Sequence, residues 1–260
     1  MARVNRRIAT LSAKYLLTPE TAYVLTHQRK HLGIVAKLAA LANTACAAVY
    51  AASEGNVEVL QILSENVGLT NHAIRLAASH GQLKILRWAH ARGFTFDATL
   101  CEEAAGGGFL NVLRWLRGRG CLWDAWTCAR AAENGHLPVL QWLRANGCPW
   151  DESTCEYAAG GGHLAVLQWL RANGCPWNRL TCSHTAAAGH LEVLQWARAN
   201  GCPWDSLTCH AAADHGHLHV LQWAHANGCP WDRRGVIKWA ERRGHRDVAD
   251  WARANGCPTV

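Results

Sequence analysis

Cysteine and histidine recur along the chain at spacings that could hold a metal ion. Cys148 and Cys155 lie seven residues apart, and His163 follows eight residues after the second cysteine. The same cysteine spacing recurs at 121/128, 175/182 and 202/209. Thiolate and imidazole are the ligands that zinc prefers in structural sites. The spacing therefore raises the hypothesis of a ladder of metal sites.

Substitutions within the chain argue against that hypothesis. The first cysteine of the pair is replaced upstream by Val67 and Phe94, and the second by Ile74 and Val236. Other units replace the histidine by Asn56, Gln82 and Phe109. A zinc ligand cannot be exchanged for these side chains, whereas a small buried hydrophobe can. We predict core cysteines and neither a metal nor another cofactor. Disulfides between equivalent cysteines of adjacent units are not expected, because packed helices lie about 8–10 Å apart.

A catalytic centre has no support in the motifs. Every cysteine, histidine and aspartate that might form a triad belongs to a repeated series, so no single constellation stands out. The chain contains no phosphate-binding loop, no nucleophile elbow and no His-Glu-x-x-His helix. We predict that the protein is not an enzyme.

The residues just described are positioned by an internal repeat of 27 residues. The dipeptide Gly-His recurs at that interval at 135, 162, 189 and 216, and the cysteine of Gly-Cys-(Pro/Leu)-Trp recurs with it. Weaker copies continue backwards through Gly108, Gly81 and Gly55, and forwards to Gly244 after a one-residue insertion. A segment from Lys30 resembles a further degenerate unit. The period predicts about eight or nine units.

Each unit is predicted to form two short antiparallel helices. In residues 202–228, Asp205 or Ser206 is a suitable N-cap for a first helix, and Gly216 ends it. A second helix begins near His217 with its apolar residues on one face, and Gly228 ends that helix. A helix pair this small cannot bury its own apolar face and must stack on its neighbours.

The second half of the unit, GHLEVLQWARANG at 189–201, resembles the corresponding segment of ankyrin repeats. The return CPWD occupies the place of the ankyrin hairpin finger, but the period is six residues shorter than the usual 33. The unit is similar to the short-fingered repeats of large DNA viruses and some protists. The resemblance implies an all-α solenoid of stacked helix-turn-helix units that binds a partner protein. Residues 1–30 carry no recognisable F-box.

Tryptophan occupies two repeated positions, one in the second helix and one in the return. Replacement of the first by Ile62 and of the second by Leu69 and Phe96 indicates a core role. A platform on which nucleic-acid bases stack is the alternative.

The candidate binding face consists of positions that vary between units while the leucines and glycines stay constant. Most of them lie on the first helix at intervals of four residues, which places them on one helical face. In ankyrin arrays the first helix and the finger line the concave groove, so the resemblance implies a recognition role for this face. Simple drift of solvated positions is the alternative reading. The predicted contact residues are Arg130, Glu133, Glu152, Glu156, Tyr157, Arg179, Ser183, His184, Ser206, His210 and Asp214.

The charge distribution disfavours nucleic acid as the main partner. The chain has a net charge of +7, but residues 121–228 contain five arginines and eight acidic residues. The basic excess lies in residues 1–50 and 229–260. A protein that follows a phosphate backbone would carry the excess on its repeated surface. A nucleic-acid-associated scaffold that uses the basic termini is the alternative function.

The predicted organisation is a basic N-terminal helix or cap in residues 1–30 and a repeat array in residues 31–260. The array has regular units in 94–228 and a C-terminal cap in 229–260, where Arg246 and Ala249 replace core leucines. We expect a monomer that does not enter membranes, in the cytoplasm or the nucleus. Mitochondrial targeting by residues 1–17, which are basic and lack acids, is a lesser alternative.

Overall fold

The computed structural model describes residues 44–67 and 70–255. The predicted basic helix or cap in residues 1–30, the degenerate unit from Lys30 and the targeting segment in residues 1–17 lie outside the described residues. The chain divides after Leu122 into two compact units. We describe each unit by itself.

The described residues form sixteen α-helices and no strand, so the prediction of an all-α fold is confirmed. The first unit contains α1 (Thr44–Ser53), α2 (Val57–Val67), α3 (Asn71–Ser79), α4 (Leu83–Ala91), α5 (Ala98–Gly106) and α6 (Leu110–Gly118). The second unit contains α7 (Ala125–Glu133), α8 (Leu137–Ala145), α9 (Glu152–Gly160), α10 (Leu164–Ala172), α11 (Arg179–Ala187), α12 (Leu191–Ala199), α13 (Ser206–Asp214), α14 (Leu218–Ala226), α15 (Arg233–Arg243) and α16 (Arg246–Ala254).

The helices form hairpins that stack in chain order. Each odd-numbered helix is the first helix of a hairpin and packs against the even-numbered second helix that follows it. In the second unit, α7, α9, α11, α13 and α15 pack successively against one another. In the first unit, α1, α3 and α5 do the same. This arrangement confirms the predicted stack of helical repeats.

The boundaries of the hairpin in residues 202–228 follow from its caps. The Asp205 side chain accepts a hydrogen bond from the Leu207 backbone N–H, so Asp205 is the N-cap of α13. The helix ends at Asp214, and Gly216 has a φ of 76°, which allows the chain to reverse. The second helix, α14, then begins after His217. The predicted start of the first helix, its end before Gly216 and the start of the second helix near His217 are therefore confirmed in this unit.

The core contains small side chains on the first helices and larger ones on the second helices. In α9, Ala158 and Ala159 are completely buried. In α10, the fully buried side chains are Leu167 and Leu170. Small residues let consecutive first helices approach closely, while the leucines fill the space between the hairpin's two helices.

The recurring histidine of the Gly-His dipeptide joins neighbouring hairpins. His217 Nε2 lies 3.0 Å from the carbonyl oxygen of Ala187, and His245 Nε2 lies 3.1 Å from that of Asp214. Gln82 makes the equivalent contact, because its Nε2 donates to the Ser53 carbonyl at 2.7 Å. Glutamine can therefore replace histidine as the donor at this position. Phe109 fills the same place against Gly81 with its ring and without a donor.

Replacement of Gly189 by Ala is expected to destabilise the second unit more than replacement of Gly201. Both glycines have positive φ angles, 78° and 82°, so each change costs about 1–2 kcal/mol of backbone strain. An alanine Cβ at 189 would also lie 2.7 Å from Nδ1 of His217, whose ring is held by its hydrogen bond to Ala187. A Cβ at 201 meets nothing within 4 Å. We expect an additional loss of about 1–3 kcal/mol for Gly189→Ala. Urea unfolding of both variants measures the difference, and equal losses would contradict it.

Candidate functional site

Ten cysteines, from Cys101 to Cys229, are all buried, and none of these ten forms a disulfide. The Cys155 thiol donates a long hydrogen bond to the backbone carbonyl of Cys175, which follows it by twenty residues, with 3.9 Å between Sγ and the oxygen. In the described part of the chain, no group of three or more histidine, cysteine or acidic side chains is arranged to hold a metal ion. Their burial supports the prediction that they are core residues. The spacing of seven residues is a consequence of the repeat.

The tryptophans of the return and of the second helix pack edge to face at four hairpin junctions, whereas Trp231 and Trp251 are tilted at 46°. The ring centroids of Trp150 and Trp169 lie 5.8 Å apart at an interplanar angle of 73°. The guanidinium of Arg144 covers Trp150 at 3.9 Å and donates to the Cys148 carbonyl at 2.6 Å. Because one face of the Trp150 ring is occupied by a cation, these contacts favour a structural role over a platform for bases.

The predicted contact residues at the start of the first helices are accessible. Glu152 and Arg179 are exposed, and Ser206 is half-buried. These three residues are each the first residue of a helix. Arg179 forms an ion pair with Asp205, with 3.1 Å between Nε and Oδ2.

The predicted contact residues four positions further on are less accessible. Glu156 is buried, with 8% of its surface exposed, while Ser183 and His210 are half-buried. Nε2 of His210 is buried and has no hydrogen-bond partner in the described residues. A Cβ at Gly235 on α15 would lie 2.7 Å from this nitrogen, so His210 is directed toward the next first helix. The fifth residue is thus buried in α7 and α9, at Ala129 and Glu156, and half-buried in α11 and α13.

A line of aromatic rings crosses three first helices. The Trp126 ring on α7 meets the Tyr157 ring on α9 edge-on at 5.4 Å. Tyr157 in turn meets His184 on α11 at 6.2 Å. Tyr157 and His184 belong to the predicted set, and the structure brings them together. Trp126 was not predicted.

Sequence reasoning missed the second residue of the first helix, which is an exposed apolar position in three helices. Trp126, Leu180 and Leu207 occupy it, with 48%, 37% and 42% of their surfaces exposed. This position lies four residues before Tyr157 and the equivalent residues of the other units. Its variation among tryptophan, serine and leucine is the sequence signal that could have identified it. We call the second, sixth and ninth residues of α7, α9, α11 and α13 the first-helix face. Its members are Trp126, Arg130, Glu133, Ser153, Tyr157, Gly160, Leu180, His184, Ala187, Leu207, Ala211 and Asp214.

The charged members of the first-helix face are already paired. Arg130 and Glu133 form an ion pair at 2.5 Å on α7. Asp214 is paired with Arg243 at 2.8 Å, and the hydrogen bond from this guanidinium lowers the pKa of the Asp214 carboxyl. Because these charges cancel within the protein, the face presents apolar and aromatic groups in a nearly neutral setting.

The fold and this face define an all-helical repeat protein whose first helices present an exposed apolar surface. The family model described as ankyrin repeats (many copies) matches residues 128–171, from within α7 to within α10. These residues are similar to ankyrin repeats, in agreement with the resemblance found in the sequence, and the hairpins that follow them repeat the same caps, turns and core. No curated protein matches the chain. Among the described helices, none has the length and apolar character needed to cross a bilayer.

Proposed function

We propose that the chain is an interaction module that binds a partner protein through the first-helix face and catalyses no reaction. Ankyrin repeats are in general protein–protein interaction modules. The observation that carries the proposal is the exposure of Trp126, Leu180 and Leu207 at one position of three first helices. Exposed apolar groups on one surface of a protein are typical of interaction sites, and here Ser153 lies at the same position between Trp126 and Leu180.

The chemistry of the face favours a protein partner with apolar side chains. Trp126 and Tyr157 are of the types that contribute most to interface energetics when they become buried. The ion pairs at Arg130 and Asp214 leave little unpaired positive charge for phosphate groups. We further propose that Arg179 and Glu152, both exposed at helix starts, contribute polar contacts at the rim.

The setting that fits this function is the interior of the cell. Ten buried cysteines without a disulfide are compatible with the cytoplasm or the nucleus, where thiols are kept reduced. We propose a monomer in the absence of its partner. The basic helix α15, next to the last described helix, favours the nucleic-acid-associated scaffold as the competing function, and the experiment below distinguishes the two functions.

The test is capture of partners from nuclease-treated lysate of the native cellular context. The face variant carries Trp126→Ala, Tyr157→Ala, Leu180→Ala and Leu207→Ala. The matched control carries four substitutions at exposed positions of the second helices, Gln141→Ala, Gln168→Ala, Glu192→Ala and Gln195→Ala. We expect one protein to be enriched by the parent and the control and lost with the face variant. Its dissociation constant should rise at least about 30-fold, since one interface hot spot contributes about 2 kcal/mol.

Two outcomes would contradict the proposal. The first is that the face variant, folded as judged by its circular dichroism and melting curve, captures the same proteins as the control. The second is that nothing survives nuclease and the remaining binding falls steeply with salt, which would favour the basic termini.

A further inference from the structure

The positions of the first-helix face continue onto α15, where their chemistry changes. The second and sixth residues of α15 are Arg234 and Lys238, at the positions that Leu207 and Ala211 hold in α13. Helix α15 packs directly against α13 within the second unit. Arg234 and Lys238 are both exposed. The surface that presents apolar groups on the preceding helices therefore ends in two cations.

These two cations lie on one side of α15. Four residues separate Arg234 from Lys238, which places them on the same helical face and about 6 Å apart along the helix axis. Arg242 follows after four more residues, and its guanidinium lies over the Trp239 ring at 5.5 Å. We call Arg234 and Lys238 the basic end of the face.

The carboxylates of α13, α15 and their N-caps all have partners of their own. Three of them form ion pairs with other arginines: Asp205 with Arg179, Asp214 with Arg243, and Glu241 with Arg253. The fourth, Asp232, accepts hydrogen bonds from the backbone N–H groups at the start of α15. Neither Arg234 nor Lys238 forms an ion pair with another described residue. The basic end therefore presents two positive charges that no described carboxylate compensates.

The rest of the face has a different character. On α7 the charges of Arg130 and Glu133 compensate each other. The exposed groups on α7, α11 and α13 are Trp126, Leu180 and Leu207. The face thus has an apolar part on α7 to α13 and a basic end on α15. A partner that covers both parts must carry different chemistry at its two ends.

We propose that the first-helix face binds a segment of a partner protein that has apolar side chains along its length and two or more carboxylates at one end. The carboxylates pair with Arg234 and Lys238, while the apolar side chains cover α7 to α13. This inference rests on the proposed function, because it assigns the partner's chemistry at the same face. Burial of the apolar groups provides most of the affinity, and the ion pairs fix the direction in which the segment lies.

The spacing of the helices also sets the spacing of the partner's residues. Packed helices lie about 8–10 Å apart, and an extended chain advances about 3.3 Å per residue. One step between first helices therefore corresponds to about three residues of an extended segment. A segment with apolar side chains on Leu180 and Leu207 brings its carboxylates to Arg234 about three residues further on.

A single-stranded nucleic acid fits this surface less well than an acidic peptide. Nucleic-acid binding needs cations along the whole path of the phosphates. The face on α7 to α13 does not provide them, because Arg130 on α7 is already paired with Glu133. An acidic peptide needs positive charge only where its carboxylates lie. The restriction of unpaired charge to α15 therefore favours a peptide.

The test is selection from a phage library of random peptides of about 16 residues, long enough to extend from α7 to α15. The target is the full chain at about 0.15 M salt, after removal of phage that bind the face variant. We expect peptides with apolar residues about three positions apart and with aspartate or glutamate clustered at one end. Selection against Arg234→Glu/Lys238→Glu should replace these acidic residues by lysine or arginine and retain the apolar part.

The matched control is Lys84→Glu/Arg246→Glu, which reverses two exposed charges on the second helices α4 and α16. It should select the same acidic peptides as the parent. Fluorescence anisotropy with one selected peptide, made synthetically, then measures the dissociation constant. We expect an increase of about 10-fold or more for Arg234→Glu/Lys238→Glu and less than about twofold for the control.

Apolar peptides without an acidic end would overturn this inference and leave the proposed function intact. If no peptide survives removal with the face variant, the proposed function fails, and the inference fails with it. Two further results would assign the basic end to another occupant and overturn the inference. One is binding of fluorescent oligothymidylate that is lost with Arg234→Glu/Lys238→Glu and kept by the face variant. The other is a dimer of the parent in sedimentation that the same charge reversal dissociates.

Discussion

Replacing Trp150 by Ala is expected to lower the free energy of unfolding of the second unit by about 3–5 kcal/mol. The indole packs edge to face on Trp169 at 5.8 Å and carries the Arg144 guanidinium on its face at 3.9 Å. Its removal leaves a cavity at the junction of two hairpins and frees an arginine that also binds the Cys148 carbonyl. Urea unfolding monitored by circular dichroism measures the loss, and hydrogen exchange shows whether opening is confined to α8–α10.

The chain itself supplies the control for this substitution. Phe96 occupies the equivalent position in the first unit and packs on Trp115 at 5.7 Å. Trp150→Phe should therefore retain the ring contact and most of the stability. If Trp150→Phe costs as much as Trp150→Ala, the stabilisation depends on the indole itself and not on filling the junction.

The hairpins could be predicted from the sequence because each boundary has its own local signal. Asp205 caps a helix, Gly216 permits a positive φ, and both recur at a fixed interval of 27 residues. These signals act over a few residues, so they are visible without tertiary information. The stacking of the hairpins then follows, since a lone helix pair leaves its apolar side uncovered.

The orientation of the binding face could be predicted only in part. Intervals of four residues show which residues share a helical face, but not which face is turned to solvent. The row that contains Glu156 and the row that contains Tyr157 differ by one residue, or about 100° around the helix. This rotation is set by packing against neighbouring helices. Glu156 is consequently buried at 8% exposure, whereas the row of Trp126 and Tyr157 reaches the surface.

The contact of Cys155 with Cys175 could not be predicted from linear spacing for a similar reason. Cys148 and Cys155 are neighbours in the chain, but the Cys155 thiol donates to the Cys175 carbonyl across the whole hairpin. The contact depends on how the return folds back toward the cap of the first helix, at Asp151. This contact depends on the relative positions of the first helix, the second helix and the return. The sequence of any one of these segments therefore does not predict it.

Replacing Ala158 by Trp is expected to disrupt the stack of first helices, with a loss of at least about 3 kcal/mol. The seventh residue of α7, α9, α11 and α13 is completely buried and small: Ala131, Ala158, Thr185 and Ala212. Each of these helices has a following first helix packed against it. An indole at 158 has no space in that interface without separating the helices. Thermal unfolding measures the loss, and hydrogen exchange should show its largest increase in α7, α9 and α11.

The seventh residue of α15 is naturally tryptophan, so the reverse substitution can be made there as a matched control. Trp239 retains 36% exposure and lies under the Arg242 guanidinium at 5.5 Å, so Trp239→Ala should cost only about 1 kcal/mol. We propose that this exchange of a small residue for a large one is what makes residues 229–260 a cap, because an indole there obstructs the close approach of another first helix. A small loss for Ala158→Trp, comparable to that for Trp239→Ala, would show that the stack tolerates bulk at this position. The proposed basis of the cap would then be wrong.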